Sequence, residues 1–161
     1  MKNNPITQYV QNVASITRSE EKKYYIWLLE NGKEYTKNHA TKEDLLIYDV
    51  KKQMCYRNAM LYSSVTDNPY VEGYAYAATD RIPFAIEHAF NLNEKGQMID
   101  LTDKKYDLEI SHFFGVKVPV DYILDEYWNL DDRAKYAYTP LKAYYIQEVL
   151  KKPIDTTIKS Y

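Results

Sequence analysis

The chain has one cysteine and three histidines, so any thiol chemistry runs through Cys55 and any imidazole partner is His39, His88 or His112. Cys55 lies in "QMCYRNAM", two residues after Gln53. Behind it Ala59, Leu61, Tyr62 and Val65 recur at helical spacing until "TDNP" breaks the pattern. This predicts a helix that opens at Cys55. The first turn of a helix carries unpaired backbone N–H groups and the positive end of the dipole, which together lower a thiol's pKa and ready it as a nucleophile. A nucleophilic thiol also needs a base near working pH, for which histidine is the usual residue.

His88 is the histidine whose surroundings suit that role. It lies in "EHAFNLNEKGQMIDLT", two apolar runs joined by a turn. If Glu94, Lys95 and Gly96 form a three-residue loop with Gly96 in the left-handed region, Asn93 faces Gln97, Phe90 faces Asp100 and His88 faces Thr102. His88 and Asp100 then project from one face as diagonal neighbours. A slip of one residue would place them on opposite faces, so the pairing depends on the turn. In this register Asp100 accepts from one ring nitrogen and leaves the other for Cys55.

The order of a cysteine opening a helix, a "YVEGYA" strand, "EHAFN", a turn and "IDLT" resembles the core of transglutaminase-like and papain-like cysteine enzymes. In those enzymes a strand with His-x-Trp/Phe-Asn precedes one ending in Asp-x-Thr. The resemblance covers about residues 53 to 116 and extends to "FFGV". It implies Cys55 as nucleophile, His88 as base, Asp100 as the orienting acid and Gln53 as a contributor to the oxyanion hole, with no cofactor and no metal. Gln53 is nearer the cysteine than the papain-like glutamine, and Met54 and Tyr56 stand where a tryptophan often flanks the nucleophile.

The elements that must position these residues follow from pattern. Residues 5 to 16 predict a first helix. Thr17 and Glu20 have capping-box spacing ahead of a second, with Tyr24, Tyr25, Trp27, Leu28 and Leu29 as its apolar stripe and Gly32 at its end. Thr41 and Asp44 mark a short helix or turn in "TKEDLLIYDV" that leads to Gln53. "YVEGYAYA", "FAIEHAFNL", "QMIDLT" and "FFGVKVPV" read as strands. "VDYILDEYWNL" and "DRAKYAYTPLKAYYIQEVLKK" read as C-terminal helices, the second broken at Pro140. The fold class is α+β: a nucleophile-bearing helix packed on a small antiparallel sheet, with extra helices at both ends. Length predicts one domain over 1–161, with a helical part at 1–50, a catalytic core at 53–118 and C-terminal helices at 119–161.

Composition narrows the partners. Lys and Arg total 21 against 23 Asp and Glu, a net charge of −2, with the basic residues scattered. This argues against nucleic acid, whose phosphates need a basic stripe; the 18 tyrosines suit half-buried faces instead. No run approaches the roughly 20 apolar residues of a membrane span. A lone cysteine without a signal-like N-terminus fits the cytoplasm, and one cysteine without CxxC or HExxH spacing argues against zinc.

Each candidate also has a structural reading. Cys55 can be a small core residue, His88 a hydrogen-bonded strand histidine and Asp100 a turn cap. Glu72 and Glu87 read as strand charges turned to solvent, and Asn91 as structural, on the face opposite His88 unless a bulge intervenes. The function expected is a thioester-forming cysteine hydrolase or acyl transferase acting on an amide or isopeptide bond of a protein, peptide or small amide. The competing reading is a non-catalytic protein-binding module that uses its tyrosine-rich C-terminal helices.

Overall fold

A computed structural model describes residues 4–35, 37–38, 54–78, 84–102, 109–127 and 139–154. Helix α1 (Pro5–Ile16) starts as its sequence dictates. Pro5 needs no hydrogen bond at the first helical position, and Asn4 Oδ1 accepts the Ile6 N–H at 2.8 Å. It ends at Thr17, whose N–H and hydroxyl both donate to Val13 O. The capping box expected at Thr17 and Glu20 therefore does not form: the Thr17 hydroxyl closes α1, and Arg18 precedes α2 (Ser19–Asn31) without a side-chain cap. Tyr24, Tyr25 and Leu28 are buried in α2 as the stripe requires.

Among the described residues six strands form one sheet: β1 (Lys33–Tyr35), β2 (Lys37–Asn38), β3 (Tyr70–Ala78), β4 (Phe84–Leu92), β5 (Met98–Ile99) and β6 (Glu109–Val118), in the order β1-β6-β3-β4-β5-β2. All pairings are antiparallel except β2 with β5. β1 and β2 stand at opposite ends of this order yet are separated by one residue, so the sheet curls until its two edges meet. At the centre of the curl Gly73 pairs with Gly115. A Cβ on Gly73 would lie 2.2 Å from Phe114 O and one on Gly115 2.6 Å from Glu72 O, so only glycine permits these backbones to approach. The sequence reading missed β1 and β2, because five mostly polar residues carry no strand period.

Alternation along the strands separates two cores. Val71, Ala75, Phe90, Leu92, Met98 and Phe113 fill the inside of the curl. Tyr70, Tyr74, Ala89, Phe114, Val116 and Val118 face outward beneath α1, α2 and the C-terminal elements. Helix α3 (Cys55–Thr66) opens at Cys55 as expected and stops at Asp67, which is left-handed with φ 56°. It packs along β4. Val65, expected on its buried stripe, is exposed, whereas Asn58, Ala59, Met60, Tyr62 and Ser63 are buried. At the C-terminal end, α4 (Tyr122–Tyr127) is a π-helical segment. Helix α5 (Pro140–Tyr144) begins at Pro140 with Thr139 as its cap and continues as π-helical turns over Tyr145–Val149. The architecture is α+β. Among the described residues no helix is long and apolar enough to cross a membrane.

Candidate active site

The β4–β5 hairpin has the geometry its turn residues dictate. Gly96 adopts φ +72°. Asn93 N–H donates to Gln97 O at 2.9 Å, and Asn93 Oδ1 accepts from Lys95 and Gln97 N–H groups. Leu92 faces Met98 and Asn91 faces Ile99. Continued by one residue, this register sets Phe90 opposite Asp100 and brings His88 and Asp100 to the inner face of the curl. There the His88 Nε2 lies 2.6 Å from Asp100 Oδ2, with both side chains buried. The His88 ring also meets Phe113, centroid to centroid at 5.9 Å.

Cys55 enters from α3. It is half-buried and stands first in the helix after Met54, which gives no side-chain cap. Helix geometry leaves the leading N–H groups without intrahelical acceptors. The Cys55 thiol stands near enough to the His88 ring to help raise its pKa. With Nε2 on Asp100, Nδ1 is the ring nitrogen that remains for another partner. Burial disfavours the charged ring, but the Asp100 carboxylate and its hydrogen bond, followed by the Cys55 contact, outweigh it and raise His88 to about 10. The contact with Asp100 thus favours the protonated ring.

Asp100 is itself held. Its Oδ1 accepts the Thr102 N–H at 2.8 Å, the short-range turn bond that an Asp-x-Thr sequence favours. Thr102 Oγ1 accepts from Asn58 Nδ2 at 3.0 Å, and Asn58 and Thr102 are both buried. Asn91 lies on the opposite face from His88, as expected. Its Nδ2 donates to Ala59 O at 2.9 Å and to Ser63 Oγ at 2.8 Å, tying β4 to α3. The sequence reading did not find Asn58, although its position three residues after Cys55 put it on the same helix face.

His88 and Asp100 thus come together, with Cys55 near the ring. Gln53 and His39 lie outside the described residues. His112 is exposed and packs edge-on against Tyr76, on a strand separated from β4 by β3. Among the described residues no group of three or more His, Cys, Asp or Glu side chains is placed to hold a metal ion.

Glu72 corrects the expectation that both strand glutamates face solvent. Glu87 does, but Glu72 is buried on the outer face beneath α5. Its Oε2 accepts from Tyr70 Oη at 2.8 Å and from Leu141 N–H at 2.9 Å. A strand acid is therefore serving as a long-range cap for α5, which period-2 alternation alone did not reveal. Burial raises Glu72 to about 7, against the downward pull of hydrogen bonds from Thr139, Leu141 and Tyr70.

No protein-family model matches the chain, and neither the curated proteins nor the solved structures contain a match to it.

Proposed function

We propose that the chain is a cysteine-dependent hydrolase or acyl transferase of the transglutaminase-like and papain-like type, acting on an amide or isopeptide bond of a protein, peptide or small amide. The observation that carries this reading is the buried His88–Asp100 pair, Nε2 2.6 Å from Oδ2, with His88 on the strand that packs beside the helix opening at Cys55. The reactive form is the Cys55 thiolate beside the His88 imidazolium. Sulfur attacks the carbonyl carbon, and the Cys55 N–H, with Gln53, stabilises the oxyanion. The imidazolium then gives its proton to the departing amine as the C–N bond breaks, leaving a thioester and a neutral ring. Water or a second amine attacks the thioester, His88 takes its proton, the C–S bond breaks and the starting ion pair is restored. Asp100 holds the ring throughout. No step calls for a metal or organic cofactor, and a free thiol nucleophile suits a reducing compartment such as the cytoplasm.

Alkylation of Cys55 by iodoacetamide as a function of pH tests the reading. An ordinary thiol, with pKa about 8.5, loses reactivity steeply below that value. Retained reactivity at pH 6 in the wild type, lost in His88→Ala, is the expected result. A thiol that is unreactive throughout in the folded protein would overturn the enzyme reading and favour the binding module.

A further inference from the structure

Helix α3 is tied separately to the two segments that carry the other members of the site. Asn91 joins it to β4, the strand of the base, through Ala59 O and Ser63 Oγ. Asn58 joins it to the segment of the acid, through Thr102 Oγ1 at 3.0 Å. These attachments differ in what they control. The Asn91 bonds fix α3 against the strand whose inner face presents His88. The Asn58 bond reaches the turn in which Thr102 N–H holds Asp100 Oδ1, and Asp100 Oδ2 in turn holds the ring. The chain of contacts returns to its start, because Asn58 and Cys55 are three residues apart on one helix. Every polar member from His88 to Asn58 is buried, with Asn58 and Thr102 exposed by only 2% and 1%. Loss of one bond there leaves a partner with no water to replace it.

We infer that Asn58 is a positioning residue: by bonding Thr102 it sets the nucleophile's helix against the acid's turn and so fixes the distance from Cys55 to the His88–Asp100 pair. This rests on the proposed cysteine chemistry for its consequence but not for its detection. Asn58 is joined to the site by its bond to Thr102. It acts through Thr102 and Asp100 on the orientation of the imidazole, and a displacement of about 1 Å in such a site costs on the order of a hundredfold in rate. Among the described residues, Asp100, Cys55 and Phe113 lie against the ring, so a shift in its titration reports the geometry of these three.

The test uses the full chain and two measurements: the His88 titration followed by NMR, and single-turnover acylation of Cys55 by a p-nitrophenyl ester. Asn58→Ala and Thr102→Val should each lower the pH at which His88 titrates and slow acylation by about tenfold or more. Thr102→Ser, which keeps the acceptor hydroxyl, should stay close to wild type in both. The double variant should be no worse than the poorer single one, since both remove the same bond. If Asn58→Ala is too unstable to fold, the Thr102→Val and Thr102→Ser pair decides the matter alone. Folded Asn58→Ala or Thr102→Val protein with an unchanged His88 titration would overturn the inference, whatever its thermal stability. A wild type that is never acylated would instead sink the enzyme reading, while the NMR titration still tests the tie.

Discussion

Two buried acids on opposite faces of the same sheet behave differently because their partners differ. Asp100, inside the curl, meets a group that can carry positive charge, and the pair keeps His88 protonated to about 10 although burial opposes it. Among the described residues Glu72, on the outer face, meets only neutral donors: a tyrosine hydroxyl, a threonine hydroxyl and a backbone N–H. Three hydrogen bonds do not offset the loss of water around a lone charge, and Glu72 is raised to about 7. Burial alone therefore does not settle whether a group is charged; a counter-charge within hydrogen-bond distance does. The inner pair sets a carboxyl against an imidazole, and the outer carboxyl holds a helix end.

The largest expected effect comes from removing the inner constellation. Cys55→Ala should abolish covalent acylation while leaving the fold nearly intact, since a half-buried sulfur leaves a small cavity. His88→Ala should be almost as severe, and His112→Ala should keep most activity because that ring lies exposed against Tyr76. Single-turnover acylation of the three variants checks this. Loss of acylation in His112→Ala with retention in His88→Ala would move the base to His112 and end the comparison.

Next in size is Asp100→Asn, which keeps the shape of the side chain and removes its charge. With the carboxylate gone, burial is left to act on His88, and NMR should show the ring titrating below 6.5 instead of near 10. Acylation should fall by about a hundredfold or more, with a marked change in its pH profile. An unchanged titration would mean that Asp100 is not what raises the ring.

Stability against pH should separate the two faces. His88 is raised from 6.5 to about 10, so its contribution is fully present below pH 6.5 and is lost as pH rises through 10. Glu72 is raised from 4.5 to about 7, so the fold favours its protonated form; its contribution is full below pH 4.5 and is lost as pH rises through 7. Chemical denaturation from pH 4 to 10 should therefore show two successive declines, each on the order of a few kcal/mol at most. Glu72→Gln, which retains an acceptor for Leu141 N–H, should flatten the lower decline alone, and His88→Asn the upper one alone. A Glu72→Gln variant that kept the lower decline would show that another group titrates there.

The smallest effect is expected at the turn. Gly96→Ala meets no atom within 4 Å but must adopt φ +72°, which costs about 1 kcal/mol of stability. The turn sets the register that aligns His88 with Asp100, so the urea midpoint should fall slightly while the His88 titration stays in place. A shifted titration would mean that the loop itself, and not only the strand pairing, tunes the pair.

The sequence by itself determined what local chemistry can enforce. Pro5 started α1, and the periodic run behind Cys55 made that residue the first of a helix. A glycine able to take positive φ at the end of "NEKG" set the register that puts His88 and Asp100 on one face. These depend on backbone sterics and on periods of two or 3.6 residues, which act over a few neighbours and are legible in any short window. Only the tertiary structure decided the rest. Whether Cys55 reached His88 depended on how α3 packs along β4, and the ties through Asn58 and Asn91 span 44 and 32 or 28 residues. Glu72 had the pattern of a solvent-facing strand acid until α5 closed over it from 69 residues away. Thr17 had the spacing of a helix cap until its hydroxyl was taken by the end of α1. The edges β1 and β2 carried no strand signal and became strands only because β6 and β5 offered unpaired backbone to meet. Long-range contacts of this kind depend on which surfaces are left to bury after the local elements have formed, and no period in the chain encodes that choice.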